Sequence, residues 1–264
     1  MSTCSGASLE LGEPLGGTGM VADRWVCVEA REPWGRDPVG DGELPPFDVE
    51  GKVLAIRRPG RERVGGLAFT AVSAEGGGEL RVHEPVGTEL GPGAPLDRTL
   101  FLVCAHGRRD PCCSRLGIPI FKALEFGAGD GEVPLVWQCS HTGGHRFAPN
   151  VVVLPWGVTL GRVALHDVPR VESTLREGRV PLELYRGRSI YPAEVQAAEV
   201  DIRLAGGFDR LDELRLVSHV GEQIVFATPA GDSARRVSSR PGPILPKSCG
   251  AEPEQVSVFD VQAV

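Results

Sequence analysis

The chain has 264 residues, a net charge of −7 and a pI near 5.5, which argues against a nucleic-acid partner, because phosphate binding calls for a basic face. Apolar residues make up 41% and charged residues 24%, the balance of a soluble globular protein. The 35 glycines and 22 prolines point to short elements joined by many loops.

The opening stretch, MSTCSGASLELGEPLGG, lacks the basic-then-apolar order of a secretory signal, and no window approaches the roughly 20 apolar residues of a bilayer span. A cytoplasmic protein without a membrane partner is the expectation. Seven cysteines, an odd count without an export signal, favour reduced thiols and metal ligation over a disulfide framework.

Residues 1–20 show little period and are expected to wrap over another element or fray. RWVCVEA, GKVLAIRRPG, GGLAFTAVSAEGGG and ELRVHEP read as strands of an N-terminal lobe, residues 1–96, each closed by a loop or by Gly and Pro. The arginines 57, 58, 61 and 63 form a short patch without interleaved aromatics, read as a solvated loop.

In the middle unit, residues 97–180, LFLVC is a buried strand followed by the loop AHGRRDPCC. Ile118 to Phe126 has helical spacing up to Gly127. LVWQC is the next strand and HTGGH a tight loop, since two adjacent glycines argue against helix. A hairpin turning at Pro155, Trp156 and Gly157 follows, then a helix with Asp167 as N-cap that ends near Gly178. The order β-α-β-β-β-α is that of a thioredoxin-like layer arrangement. Residues 181–264 read as a helix carrying Val195, Ala198 and Ile202 on one face, then a β-meander. The fold class is mixed α/β, or α+β.

Chemistry concentrates between Phe101 and Asn150. Cys104 and Cys113 lie nine apart, and His141 and His145 four apart. Thiolate with imidazole suits zinc, copper or an iron–sulfur cluster. Cys₂His₂ is a standard zinc set, but the wide cysteine spacing departs from finger-like sites. Gly143 and Gly144 would let backbone amides approach the centre. His106, Arg108, Arg109 and Asp110 are candidates for contacts around the ligands, or for a loop held by Arg109 pairing with Asp110 or a neighbour. Arg146 is a candidate for a hydrogen bond near the centre or for bracing the loop.

Cys139 shares a strand face with His141 and is the reserve ligand, together with Cys112. Cys4, Cys27, Cys139 and Cys249 otherwise read as small buried or peripheral residues. His83, His166 and His219 read as surface or satisfied core residues, and Trp137 and Trp156 as core.

The runs CAHGRRDPCC and HTGGHRFAPN, with GEPLGGT, EPWGRD, IRRPG, LPWGVTLGRV and YRGRS, resemble the sucrase/ferredoxin-like family. That resemblance implies a thioredoxin-like ferredoxin whose 2Fe–2S cluster is held by Cys104 and Cys113 on one iron and by His141 and His145 on the other. It also implies an electron carrier between a donor and an acceptor redox protein. A zinc protein with a binding role is the alternative. No hydrolase, nucleotide-binding or transferase motif appears in its expected context, and the paired carboxylates of a glycosidase cannot be picked out. A thiol catalyst using Cys112 with Cys113 is a third reading.

Overall fold

A computed structural model describes residues 3–31, 33–58, 66–128, 133 and 135–264. Its elements are α1 (Cys4–Glu10), β1 (Arg24–Glu29), β2 (Lys52–Arg57), β3 (Ala68–Ala74), β4 (Gly77–His83), β5 (Ala94–Pro95), β6 (Leu100–Cys104), α2 (Pro111–Ala128) and β7 (Val136–Cys139). After these come β8 (Val151–Leu154), β9 (Val158–Leu160), α3 (Val168–Arg176), β10 (Tyr185–Arg188), α4 (Ala193–Gly206), β11 (Arg215–Val220), β12 (Gln223–Thr228), β13 (Gly231–Pro246) and β14 (Pro253–Ala263). The fold is mixed α+β, rich in strand. Among the described residues no helix is long and apolar enough to cross a membrane.

One sheet takes the order β10-β9-β8-β6-β7-β2-β1-β3-β4-β5, and β11 to β14 form a second, antiparallel sheet. The first sheet runs across the expected border at residues 96 and 97, because β2 pairs antiparallel with β7. The strand-rich N-terminal segment is thus continuous in hydrogen bonding with the middle unit. Strands β6 and β7 run parallel, with Cys104 opposite Cys139. Such a pair needs a long crossover, and α2 provides it.

Alternation along β6 divides the core. Phe101 and Val103 face Ile120, Phe121 and Leu124 of α2 and Val171 and Leu175 of α3. Leu100, Leu102 and Cys104 face the opposite way, toward Trp25, Phe69 and Trp137. At the C-terminal end Val195, Ala198 and Ile202 of α4 pack on Ile224, Phe226 and Val237 of the second sheet.

Three local expectations change, and one is resolved between its alternatives. First, α2 begins at Pro111 instead of Ile118, so Cys112 and Cys113 lie in its first turn and not in a loop. Asp110 explains this start: its Oδ1 accepts the Cys112 N–H at 2.8 Å, and a proline one residue later sacrifices no helical donor. Gly117 then permits close packing, since a Cβ there would strike the Cys104 carbonyl. Second, Asp167 precedes α3 without capping it through its side chain; Oδ2 accepts the N–H of Ala164 at 2.9 Å instead.

Third, of the two alternatives for the N-terminal stretch, wrapping and fraying, it wraps. Thr3 caps α1 by accepting from the Gly6 N–H, and Cys4, Ser5 and Ser8 are buried. Fourth, Arg57 and Arg58 are engaged instead of solvated. Arg57 donates to Gln138 at 2.9 Å and lies 4.5 Å over the Trp34 ring, and Arg58 donates to Glu125 at 2.6 Å. Arg61 and Arg63 lie outside the described residues.

Candidate metal centre

The parallel strands β6 and β7 end at the same pole of the sheet, and the segments that follow them converge there. Cys104 closes β6, Cys113 comes from the first turn of α2, and His141 follows β7 by two residues. One donor atom from each of these three residues lies within 4.8 Å of the others. The fourth expected ligand, His145, stands beside them with its ring centroid 5.1 Å from that of His141. Cys112 and Cys139 are not in this group. Cys112 points elsewhere, and Cys139 is packed among Cys27, Cys104 and Trp137.

The glycine pair shapes the histidine loop. Gly143 (φ 82°) and Gly144 (φ 64°) are both left-handed, a region costly for residues with a Cβ. The chain then enters a short 3₁₀ turn, His145–Phe147. This geometry returns His145 toward His141. Asn150 fixes the loop by donating from Nδ2 to the Gly144 carbonyl at 2.9 Å, while its Oδ1 accepts from Arg186 at 2.8 Å.

Electrostatics separate the two sulfurs. Cys104 is held well below the ordinary thiol range by the hydrogen bond from Cys113, helped by His141 and the Thr142 N–H against the cost of burial. The same contact pushes the Cys113 thiol up. An anionic sulfur at Cys104 is therefore favoured where a metal would sit. Burial lowers His145, opposed by Asp110, so its imidazole is neutral near pH 7, the form that ligates. Nδ1 of His141 and both ring nitrogens of His145 are buried without a hydrogen-bond partner. Buried polar groups are normally satisfied; two sulfurs and two such rings fit a thiophilic metal or an iron–sulfur group.

The surrounding residues hold the two ligand loops in place. His106 is buried, bonds through Nε2 to the Gly35 carbonyl at 2.7 Å and meets the Trp34 ring edge-on at 5.8 Å. Trp34 and Gly35 thus brace the first ligand loop. Arg109 is exposed and does not hold Asp110, whose carboxylate turns to the backbone of Cys112 and Cys249. Arg146 braces the histidine loop through Glu13, at 2.8 and 3.0 Å, and lies 4.5 Å over Phe147. Arg162 and Arg186 also flank that ring, at 5.5 and 4.9 Å.

Glu13, Asn150 and Arg186 were not singled out from the sequence. The signal for Glu13 and Arg186 lies in GEPLGGT and YRGRS, where charges stand among small residues, and that for Asn150 in the end of HTGGHRFAPN. Of the roles open to Asp110, the pair with Arg109 is absent, while its carboxylate lies 3.8 Å from His145; the Asp-Pro pair also marks a helix start.

Residues 82–187 match the family model described as sucrase/ferredoxin-like. Among curated proteins, "Altered inheritance of mitochondria protein 32" of Clavispora lusitaniae is 36% identical over 101 residues, 36% of this chain and 37% of that protein. The protein of the same name from Debaryomyces hansenii is 36% identical over 103 residues, 35% of this chain and 36% of that one. The chain therefore spans little more than a third of the length of the curated relatives it matches. Among solved structures, a thioredoxin-like 2Fe–2S ferredoxin from Aquifex aeolicus aligns at 23% identity and a TM-score of 0.32, over 37% of this chain and 97% of that one.

Proposed function

We propose that the sucrase/ferredoxin-like domain at residues 82–187 holds a 2Fe–2S group, with Cys104 and Cys113 on one iron and His141 and His145 on the other, and serves as a one-electron carrier between redox proteins. The observation that carries this reading is the convergence of two sulfurs and two imidazoles at the ends of two parallel strands. When bound, such a group takes up and releases single electrons, at a potential that imidazole in place of thiolate raises.

The chain's own residues divide the site into two sides. Cys104 and Cys113 are sealed in the core, whereas His141 and His145 are partly exposed. Electrons and protons would therefore pass on the histidine side. A cleft of about 450 Å³ opens there, and Arg36, Lys52, Arg109 and His141 line it with one carboxylate, Asp37. Its basic rim suits an acidic partner and would speed encounter at low salt.

Each histidine that binds through one ring nitrogen keeps the other for a proton. Added negative charge nearby raises the basicity of that nitrogen. Electron uptake is then accompanied by proton uptake on His141 or His145.

The test combines iron and sulfide analysis, visible absorption and paramagnetic resonance of the reduced full chain, followed by potentiometry across pH. The expected result is a coloured protein whose potential falls by up to about 59 mV per pH unit in an alkaline window. A potential flat from neutral to alkaline pH removes the proton coupling. A colourless protein containing zinc alone at Cys104, Cys113, His141 and His145 removes the carrier role and leaves the zinc reading.

A further inference from the structure

Cys112 belongs to a second cluster that the proposed carrier does not use. Three thiols meet there from distant parts of the chain: Cys4 on α1, Cys112 on α2 and Cys249 in the connection between β13 and β14. Cys112 Sγ lies 3.2 Å from Cys249 Sγ and 3.6 Å from Cys4 Sγ, and Cys249 Sγ lies 3.6 Å from Cys4 Sγ. Asp110 completes the set, with Oδ2 at 3.7 Å from Cys4 Sγ. All four donors lie within 4.8 Å of one another.

Tetrahedral geometry sets the comparison. A zinc–sulfur bond of about 2.3 Å places two sulfurs on the same ion about 3.8 Å apart. All three sulfur–sulfur distances fall inside that edge, the two to Cys4 at 3.6 Å and Cys112–Cys249 at 3.2 Å, so an ion would spread the Cys112 and Cys249 sulfurs by about 0.6 Å. The distances are too long for a disulfide, whose sulfurs sit about 2.05 Å apart, and three sulfurs would in any case leave one unpaired.

Asp110 is also placed as a ligand carboxylate would be. It is 1% exposed, and its oxygens accept the N–H groups of Cys112 and Cys249, each at 2.8 Å. These bonds fix its orientation toward the sulfurs, as outer contacts do for metal-bound carboxylates. A buried carboxylate among three thiols calls for a cation. Among the described residues its nearest basic group is His145, at 3.8 Å, which the carrier reading assigns to the other centre.

We propose that Cys4, Cys112, Cys249 and Asp110 form a structural zinc site, separate from the iron-binding one, that ties the N-terminal helix and the C-terminal sheet to the start of α2. Three thiolates and a carboxylate are a zinc-type donor set, and four protein donors leave no open position for substrate. The site joins residues 245 positions apart, so it closes the two ends of the chain onto the middle. It stands whether or not iron occupies the neighbouring centre.

The test is zinc and iron content per chain, measured on the full protein and on Cys4→Ser and Cys249→Ser. The expected wild-type protein holds one zinc per chain. In either variant zinc affinity falls about tenfold or more and zinc per chain falls with it, with visible absorption unchanged. Should the variants fold poorly, cobalt titration of zinc-depleted wild-type protein supplies the second measurement. One equivalent should produce thiolate-to-cobalt charge transfer and tetrahedral ligand-field bands. The proposal is overturned by a wild-type protein that binds neither zinc nor cobalt, by zinc that leaves with Cys113→Ser but not with Cys4→Ser, or by mass analysis showing a Cys112–Cys249 disulfide in the freshly purified chain.

Discussion

Cys112 and Cys113 are consecutive, yet their sulfurs enter different clusters: Cys113 stands with Cys104 and His141, Cys112 with Cys4 and Cys249. Neighbouring residues diverge by about 100° around a helix, so the first turn of α2 is what parts them. Cys113→Ser should abolish iron binding and its visible absorption, and Cys112→Ser should keep both. Iron and sulfide analysis of the two variants checks this. A dithiol catalyst would instead require both sulfurs in one place.

Gly143 and Gly144 are both left-handed, but their surroundings differ. A Cβ on Gly143 meets nothing within 4 Å, whereas one on Gly144 would run into the Arg186 guanidinium and come within 3.0 Å of the Phe147 ring. Gly143→Ala should therefore cost only the backbone penalty, about 1 to 2 kcal/mol. Gly144→Ala should add an overpacking cost of about 1 to 3 kcal/mol and disturb His145. Denaturant unfolding of both variants measures the difference, and equal losses would show that the Arg186 contact is unimportant.

How far the sequence revealed this arrangement depended on distance along the chain. Local signals were legible. Strand length and apolar runs marked β6 and β7, and the adjacent glycines marked the histidine loop. Pro192 and Gly207 bracketed α4, whose C-cap Gly207 has φ 67°. The early start of α2 was missed because Gly117 and Pro119 break its propensity, while the cap at Asp110 and packing on β6 override them. Contacts between distant segments carried no periodic signal. Cys4 and Cys249 each looked like a lone small residue, and only the folded chain brings them to Cys112. Glu13 likewise meets Arg146 only in the folded chain, from a position 133 residues away.

That bond supplies a stability prediction. Glu13 is 1% exposed; its carboxylate accepts from Arg146 and from Ser8 Oγ at 2.7 Å. The Arg162 guanidinium bonds the Glu13 carbonyl at 2.8 Å. Removing the carboxylate leaves Arg146 beside Arg162 and Arg186 around Phe147 without its counter-charge. Glu13→Ala should destabilise the chain by about 2 to 3 kcal/mol, and Glu13→Gln by less, because the amide oxygen still accepts. Unfolding free energies that match the wild type for Glu13→Ala would show that solvent already screens this cluster.

The two tyrosines of the chain make its alkaline behaviour readable. Tyr185 is buried and donates to Glu199 at 2.9 Å; burial first, then the Glu199 charge, raises its phenol well above the ordinary range. Tyr191 donates to Glu75 at 2.7 Å and is raised in the same direction, again chiefly by burial. An unfolded phenol titrates near about pH 10. Above that pH the folded state holds more protons than the unfolded one, so stability falls as pH rises. Below it the contribution is complete. Each phenol accounts for a slope of about 1.4 kcal/mol per pH unit between its unfolded and folded titrations. Tyr185→Phe or Tyr191→Phe should therefore flatten the alkaline decline by one such increment. Tyrosinate absorbance should stay absent in the folded wild type through about pH 10 and appear together with unfolding. A phenolate signal that grows near pH 10 while the chain remains folded would mean that at least one of these rings is open to water.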